Sequence, residues 1–253
     1  MECYLDFIYG DKKLSDFGGT LYNEDGFRKN IGSNPNHITL SIPNKGEIYY
    51  GIKYDPMEID LSCYFEARLS EREIASWICG EEEKRFQYIG DTKYCNAVYN
   101  GKLEFEIYGG DTIDQSLTNI PLISYDGFWR AIEEPQIITS PGLNTVYSVS
   151  GNNNINSYPT FKILPYSSTL NFKWNDMNVA LKDLNGGVEY ILDSENGDFY
   201  YLSAGSKIYM MPCIYTDDYY TMPTLKPFVQ NELTLISGNV GKIEIIKNSR
   251  IRE

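Results

Sequence analysis

The sequence predicts a mainly β protein of two domains, with one short helix in the first. Three observations support this fold class. Apolar and polar residues alternate along residues 57–65 and 103–108, which is the period of a strand with one buried face. Tyrosine, which favours strands, occurs 22 times against 11 phenylalanines. Short strand patterns separated by turn residues fill the second half of the chain, as is typical of a β-sandwich.

The first half contains strand patterns at residues 48–54, 57–65 and 103–108. Asn100-Gly101 lies between two apolar-polar pairs, at 98–99 and 103–104. Because this dipeptide readily adopts the positive φ values of a tight turn, the two flanking segments are predicted to pair as a hairpin.

One segment of the first half predicts a helix. Ser70 and Glu73 match a capping box, in which the hydroxyl accepts from the N–H of Glu73 and the carboxylate reaches back. Residues 74–78 then supply an apolar face, and Gly80 suits the left-handed position that ends many helices. Trp77 on that face is expected to pack against the neighbouring sheet.

Residues 133–158 contain two prolines and the polar run 151–157, which predicts a linker and the first strand of a second domain. The predicted domains are therefore residues 1–134 and 135–253, with the last strand able to return to the first domain. Asn196-Gly197 is predicted to join two strands of the second domain in a hairpin. Its strands after residue 158 are predicted at 160–164, 169–174, 178–181, 189–193, 198–202, 232–236 and 241–246.

Composition excludes several classes of function. The net charge of −13 opposes binding to phosphates and to anionic membrane surfaces. No apolar run approaches the roughly 20 residues that span a bilayer, and the first residues lack the pattern of a signal peptide. The five cysteines contain no C-x-x-C pair, so neither a disulfide framework nor a zinc site is predicted, and most are expected to be buried thiols. A protein made and folded in the cytoplasm is expected.

Candidate catalytic groups are few. His37 is the single histidine, and no G-x-S-x-G elbow accompanies it, so a loop or strand-edge role is expected. Asp193 and Glu195 could share a strand face, but they border the turn at Asn196-Gly197, where polar residues are common. The run 81–83 is interpreted as a solvated acidic segment. Asp217-Asp218 could bind a cation or cap a loop, and the loop cap is favoured. No catalytic, metal-binding or cofactor-binding residue is predicted.

Both halves resemble the distal tail proteins of siphophages. In the first, S-E-R-E-I-A-S-W-I-C-G at 70–80 is followed by K-R-F-Q-Y at 84–88, D-T-K-Y-C-N-A-V at 91–98 and D-G-F-W-R at 126–130. In the second, the segments at 157–163, 191–197, 225–233 and 241–245 are similar to the family's C-terminal galectin-like β-sandwich. The resemblance extends from about residue 38 to 252. Pro227-Phe228 departs from the Pro-Gly usual at that place, and the first 35 or so residues match nothing in the pattern.

The resemblance implies a structural protein rather than an enzyme, and no cofactor. Six copies would form a ring at the distal end of the tail tube. Their N-terminal β belt domains would surround a channel through which DNA passes without specific binding, and the galectin-like domains would lie outside. The implied partners are the tail tube protein, a tail-tip hub protein similar to tail-associated lysins, and a receptor-binding protein. The implied location is the tail tip of the virion, after synthesis in the cytoplasm of a bacterial host.

Aromatic residues dominate the energetics of interfaces, so the tyrosine-rich strands and the aromatic corner that follows them are the predicted contacts between ring subunits. These interface candidates are Tyr49, Tyr50, Tyr54, Phe128 and Trp129.

Two alternative functions remain open from the sequence. A carbohydrate-binding module could stack sugars on Trp174, Tyr219 or Tyr220, although Trp174 alternates with Leu170 and Phe172 as a core residue would. A polysaccharide hydrolase would need a pair of carboxylates, which 35 acidic residues could supply.

Overall fold

The computed structural model describes residues 6–22, 35–42, 46–65, 71–108, 115–217 and 221–252. The chain forms two compact units, residues 1–130 with 252–253, and residues 131–251. Both consist mainly of antiparallel strands, which confirms the predicted fold class. Among the described helices, none has the length and apolar character needed to cross a bilayer.

The first unit contains a short 3-10 helix, Leu14–Phe17, and one α-helix, α1, Glu71–Ile78. Its strands are β1 Phe7–Tyr9, β2 Lys12–Lys13, β3 Gly19–Leu21, β4 Pro35–Ile42, β5 Gly46–Tyr54, β6 Met57–Phe65, β7 Lys84–Tyr88, β8 Lys93–Tyr99, β9 Phe105–Tyr108, β10 Gln115–Ser124 and β11 Trp129–Ala131, whose last residue belongs to the second unit. The main sheet has the order β2-β1-β7-β8-β10-β6-β3, with β9 also paired to β10. Strands β4 and β5 pair separately as a hairpin.

Strand β6 spans the residues that alternation predicted. Its inward side chains, from Met57 to Phe65 at every second position, are buried, and Glu58, Asp60 and Ser62 between them are exposed. Strand β10 pairs with every residue of β6. This ladder is the centre of the first unit.

Helix α1 packs Trp77 into an aromatic cluster, as its apolar face predicted. The Trp77 ring stacks on Phe7 and Phe17 at centroid distances of 5.6 and 4.7 Å, and its Nε1 donates to the Tyr9 carbonyl at 2.8 Å. The partners therefore come from the N-terminal segment for which the sequence offered no interpretation.

The ends of α1 differ in part from the prediction. Ser70, the predicted N-cap, lies outside the described residues. The helix ends at Ile78, but Gly80 is outside the left-handed region, so the predicted glycine cap is wrong. Lys84 Nζ instead donates to the Trp77 carbonyl at 2.7 Å and satisfies one acceptor at the helix end.

The predicted hairpin at Asn100-Gly101 is also wrong. Strands β8 and β9 do not pair with each other; both pair with the same edge of β10, β8 through residues 98–99 and β9 through residues 105–108. Gly101 is required for a different reason, because a Cβ atom there would lie 2.6 Å from Pro121 Cγ on β10. The dipeptide thus allows a close approach between segments rather than a tight turn.

The second unit is a β-sandwich with one further 3-10 helix, Met211–Cys213. Its strands are β12 Gln136–Thr139, β13 Val146–Val149, β14 Thr160–Pro165, β15 Leu170–Trp174, β16 Met177–Leu181, β17 Tyr190–Asp193, β18 Asp198–Ser203, β19 Ser206–Tyr209, β20 Ile214–Thr216, β21 Asn231–Ser237, β22 Val240–Ile246 and β23 Arg250–Ile251. One sheet has the order β12-β22-β14-β17-β18-β19 and the other β13-β21-β15-β16-β20. A single apolar cluster from both sheets forms the core.

The seven strands predicted after residue 158 are all present, each within one residue of its expected bounds. The hairpin at Asn196-Gly197 is confirmed, since Asp193 pairs with Asp198 and Gly197 has a φ of 71°. The segment predicted as a linker with one strand contains two strands. Residues 136–139 form β12 and residues 146–149 form β13, one in each sheet. Residues 206–209 and 214–216 add two strands, β19 and β20, that the sequence did not predict.

Candidate functional site

Strands β6 and β9 of the first unit carry three carboxylates on the outward face of the main sheet. Glu58 and Asp60 project from β6, and Glu106 lies opposite Leu117, which in turn lies opposite Tyr64 on the same face of β6. Directly opposed residues share one face of a sheet, so these three carboxylates project on the same side. We call Glu58, Asp60 and Glu106 the acidic face.

A polar groove of 460 Å³ lies on this side of the sheet. The Thr118 hydroxyl donates to the Glu104 carbonyl at 2.6 Å, and Lys102 pairs with the Glu104 carboxylate. The groove therefore presents hydrogen-bond acceptors and one ion pair, so it is better suited to contact with water and polar groups than to binding an apolar ligand. The residues that line it are Tyr22, Ser62, Lys102, Glu104, Glu106, Leu117, Thr118 and Asn119.

The predicted interface residues fall into two groups. Tyr49, Tyr50 and Tyr54 lie on β5, where Tyr49 pairs with Thr39 and a register shift leaves Tyr50 without an opposed residue. Their side chains lie outside what the structure describes, so their contacts with another subunit stay a prediction.

Phe128 and Trp129 are buried within the first unit, at 8% and 1% exposure. The Trp129 ring lies 6.1 Å from both Phe86 and Tyr88, so the aromatic corner fills the core of its own unit. A subunit contact through these two residues remains untested, and a substitution of Trp129 would disturb this core directly.

Trp174, the predicted sugar contact, is 1% exposed within the sandwich core, and its Nε1 donates to the Thr224 carbonyl at 2.8 Å. It borders an open pocket of 340 Å³. Stacking on a sugar needs an open ring face, and this ring offers little of one. Tyr219 and Tyr220, the other predicted sugar contacts, lie outside the described residues. The pocket is lined by Trp174, Asn175, Asp176, Met177, Asp217, Thr221, Thr224 and Lys226.

The Asp217 side chain in that pocket is hydrogen-bonded within the chain. Its carboxylate accepts the Asn178 backbone N–H at 2.8 Å and the Asn178 side-chain amide at 3.0 Å. These hydrogen bonds hold the pKa of the Asp217 carboxyl below its ordinary value.

The carboxylates of Asp193 and Glu195 both make structural contacts. Asp193 Oδ1 accepts the backbone N–H groups of Glu195 and Asn196 at 3.1 and 3.3 Å, which is an Asx-type turn. The Glu195 carboxylate pairs with Arg250 at 2.8 Å. His37 lies on β4 opposite Ile52. Over the parts of the chain that the structure describes, no group of three or more His, Cys, Asp or Glu residues could hold a metal ion.

The cysteines follow the prediction in part. Cys63 and Cys95 are buried, whereas Cys79 is exposed and Cys213 half-buried; Cys3 lies outside the described residues. Burial raises the pKa of the Cys95 thiol to about 12, so it remains protonated and acts as a small apolar residue.

Two surface features of the structure were not predicted from the sequence. The acidic face is visible as the alternation of Glu58 and Asp60 with apolar residues, but Glu106 joins it only through the β9–β10 pairing. Phe228, 86% exposed, was signalled by the Pro-Phe step at a place where glycine is usual in distal tail proteins.

Part of the chain matches a known family model, and the whole chain is similar in fold to solved structures. Residues 3–111 match a family model described as a phage tail protein N-terminal domain. No curated protein matches the chain in sequence. Among solved structures, the chain is similar to SPP1 Dit, described as a paradigm of the hub adsorption apparatus in phages that infect Gram-positive bacteria. That likeness has a TM-score of 0.66 at 10% identity and covers 96% of this chain and 98% of the other.

Two structures of the phage p2 baseplate in its activated conformation are also similar. The chain in the strontium form has a TM-score of 0.52 at 9% identity and coverage of 96% and 97% of the two chains. The chain in the calcium form has a TM-score of 0.53 at 11% identity and coverage of 97% and 98%. Residues 3–111 therefore match the phage tail protein N-terminal domain, and the whole chain has the fold of SPP1 Dit, in agreement with its sequence resemblance to siphophage distal tail proteins.

Proposed function

We propose that this protein is a distal tail protein, a non-enzymatic subunit of a hexameric ring that joins the tail tube to the tip hub or baseplate and carries adsorption proteins. The likeness to SPP1 Dit over nearly the whole of both chains is the observation that supports it most strongly, since Dit is described as part of a hub adsorption apparatus. In this proposal residues 1–134 form the belt, and the galectin-like domain of residues 135–253 lies outside it.

Ring closure requires one heterologous contact that is repeated around the axis. The tyrosines of β5, Tyr49, Tyr50 and Tyr54, are the proposed anchors of that contact, because large rigid aromatic side chains supply most of the energy of such interfaces.

The acidic face is proposed to line the channel. Glu58 and Asp60 are exposed on the same side as Glu106, and a row of carboxylates repels phosphates instead of binding them. DNA would therefore slide along this surface without specific contacts.

The ring is tested by light scattering and negative-stain imaging of the purified chain. We expect particles of six subunits, or multiples of six, with a central hole. The double substitution Tyr49→Ala with Tyr50→Ala is expected to reduce them to smaller species, whereas Tyr125→Ala, which removes a 60% exposed aromatic ring elsewhere, should leave them unchanged. A chain that stays monomeric both alone and with the tail tube protein of its own phage contradicts the ring.

The channel is tested by neutralising the acidic face with Glu58→Gln, Asp60→Asn and Glu106→Gln in the assembled phage. We expect intact tails that deliver DNA more slowly, and a steeper slowing at low ionic strength, where the repulsion that the variant lacks is least screened. Glu189→Gln, on the second unit, is the matched control. Delivery at the normal rate by the triple variant would show that this face lies elsewhere.

A further inference from the structure

The 340 Å³ pocket beside Trp174 lies at one end of the sandwich in the second unit. Its walls are the turn between β15 and β16, the residue that follows β20, and the segment 221–226. Met177 and the small exposed part of Trp174 supply its apolar lining. Its ionisable groups are the carboxylates of Asp176 and Asp217 and the ammonium of Lys226.

Two walls of this pocket are held together by Asn231, which is fully buried. Asn231 Oδ1 accepts the Asn175 side-chain amide at 2.9 Å and the Lys226 backbone N–H at 2.9 Å. Asn175 Oδ1 in turn accepts the Glu232 backbone N–H at 2.9 Å. The turn that carries Asp176 and the segment that carries Lys226 are therefore fixed relative to each other.

The third wall is fixed through Asp217. Its carboxylate accepts three hydrogen bonds from Asn178, one from the backbone N–H at 2.8 Å and two from the side-chain amide at 3.0 and 3.1 Å. Because a carboxylate offers about four lone-pair sites, Asp217 retains room for a further donor. The pocket is thus formed in the free chain, and a ligand that binds there needs little further ordering of the protein.

The other two charged groups are available to a ligand. Asp176 and Lys226 are both exposed, and within the described part of the chain their side-chain charged groups have no hydrogen bond or ion pair. A hydroxyl group can donate to a carboxylate and also accept from an ammonium. An anionic ligand would instead meet two carboxylates, and a cationic ligand would meet the ammonium.

The size of the pocket suits a six-membered ring that carries hydroxyl groups. A cavity of about 150 Å³ holds a benzene ring, so one of 340 Å³ has room for a pyranose with its substituents. The C–H groups of such a ring can pack against Met177, whose flexible side chain adapts to the shape it contacts. An apolar lining with a few fixed polar groups is the usual composition of a small-molecule site.

We propose that this pocket binds a neutral hexose unit of a glycan. The sugar hydroxyls donate to the carboxylates of Asp176 and Asp217 and accept from the ammonium of Lys226. Recognition depends on these hydrogen bonds and not on stacking, since Trp174 is 1% exposed. The site goes beyond the proposed ring and does not require it, because every group in it belongs to one subunit.

The test is saturation-transfer NMR of the full chain with the methyl glycosides of glucose, galactose and mannose, in a series that extends to about 20 mM. We expect transfer to at least one of the three. Asp176→Ala and Lys226→Ala should each raise its dissociation constant at least about tenfold, because each removes a hydrogen bond to a charged group. Sorbitol, which has similar hydroxyls but no ring, should bind more weakly, since it loses more freedom on binding.

Glu134→Ala is the matched control, because it removes an exposed acid of the same unit that does not line the pocket. It should bind the sugar as the wild type does. The melting temperatures of Asp176→Ala and Lys226→Ala should equal that of the wild type, because both side chains are exposed and their charged groups are without partners in the described structure, so lost binding cannot be attributed to misfolding.

Absence of transfer to all three methyl glycosides, or equal dissociation constants in wild type and both pocket variants, would overturn the site. Transfer to glucosamine or glucuronate alone would assign the pocket to a charged ligand and would also overturn the proposal. Light scattering should give the same particle mass for wild type and pocket variants. Absence of six-fold particles in all of them would count against the ring alone, so the two proposals fail separately.

Discussion

The two units bury their tryptophans in different ways. In the first unit, Trp77 is stacked with Phe7 and Phe17 at interplanar angles of 14° and 19°, on a helix that packs against the sheet. In the second, Trp174 meets Phe161 edge-on at 82°, between the two sheets of the sandwich. Each indole donates to a backbone carbonyl far away in sequence. The first unit thus depends on a side-chain cluster to hold its N-terminal segment, whereas the second depends on two opposed sheet faces.

This difference predicts the largest stability effects. Trp77→Ala and Trp174→Ala should each cost about 3–5 kcal/mol of the free energy of unfolding, since each leaves a cavity and an unpaired carbonyl. We expect Trp77→Ala to lower the urea midpoint of the first unit and Trp174→Ala to leave that midpoint nearly unchanged, with the two units distinguished by hydrogen exchange at increasing urea. Equal shifts of a single transition in both variants would show that the two cores do not unfold independently.

A smaller effect is expected where segments approach closely in the first unit. Gly101→Ala would place a Cβ atom 2.6 Å from Pro121 Cγ, which requires β10 or the segment after β8 to move. We expect a loss of about 1–3 kcal/mol, the usual cost of overpacking, measured by urea unfolding. Gly187→Ala, with nothing within 4 Å of the added Cβ, tests the cost of a positive φ of 82° without a clash. A larger loss at Gly187 than at Gly101 would refute the close-approach explanation.

The smallest effect concerns an ion-pair network on the outer face of the sandwich. Glu244 accepts from Lys162 at 3.0 Å and from Lys242 at 3.2 Å, and these hydrogen bonds hold the pKa of the Glu244 carboxyl below its ordinary value. A lowered pKa in the folded state stabilises the protein above the unfolded pKa, and that contribution is lost as the pH falls through the folded value.

Glu244→Gln should therefore cost at most about 1 kcal/mol at pH 7, and the difference from wild type should shrink as the pH falls below about 4. Urea midpoints between pH 3 and 7 measure it. A difference that grows toward low pH would contradict the assigned direction.

The sequence predicted strands better than it predicted their partners. Alternation located β6 and, within one residue, seven strands of the sandwich, because side-chain period is a local property of the backbone. The hairpin at Asn100-Gly101 failed because β8 and β9 each pair with β10, which follows both in sequence. The role of residues 7–17 could not be predicted for the same reason, because they contact Trp77, which lies about 60 to 70 positions away in the sequence.

Candidate site residues were harder to predict than strands. Phe128 and Trp129, predicted as interface aromatics, are buried within the first unit, and an aromatic pattern in a sequence does not report burial. Their contact with another subunit stays a prediction. Glu106 joined the acidic face only through its pairing register, and the exposure and left-handed backbone of Phe228 became evident only from the structure.

The ladder between β6 and β10 also has a mechanical consequence. It runs without interruption over nine opposed residue pairs, from Ser116–Phe65 to Ser124–Met57. Because antiparallel hydrogen bonds lie perpendicular to the strands, a pull along the strand axis loads them all at once, while a pull across it opens them singly. In the proposed ring, the orientation of this ladder relative to an applied load would decide whether the subunit yields or holds.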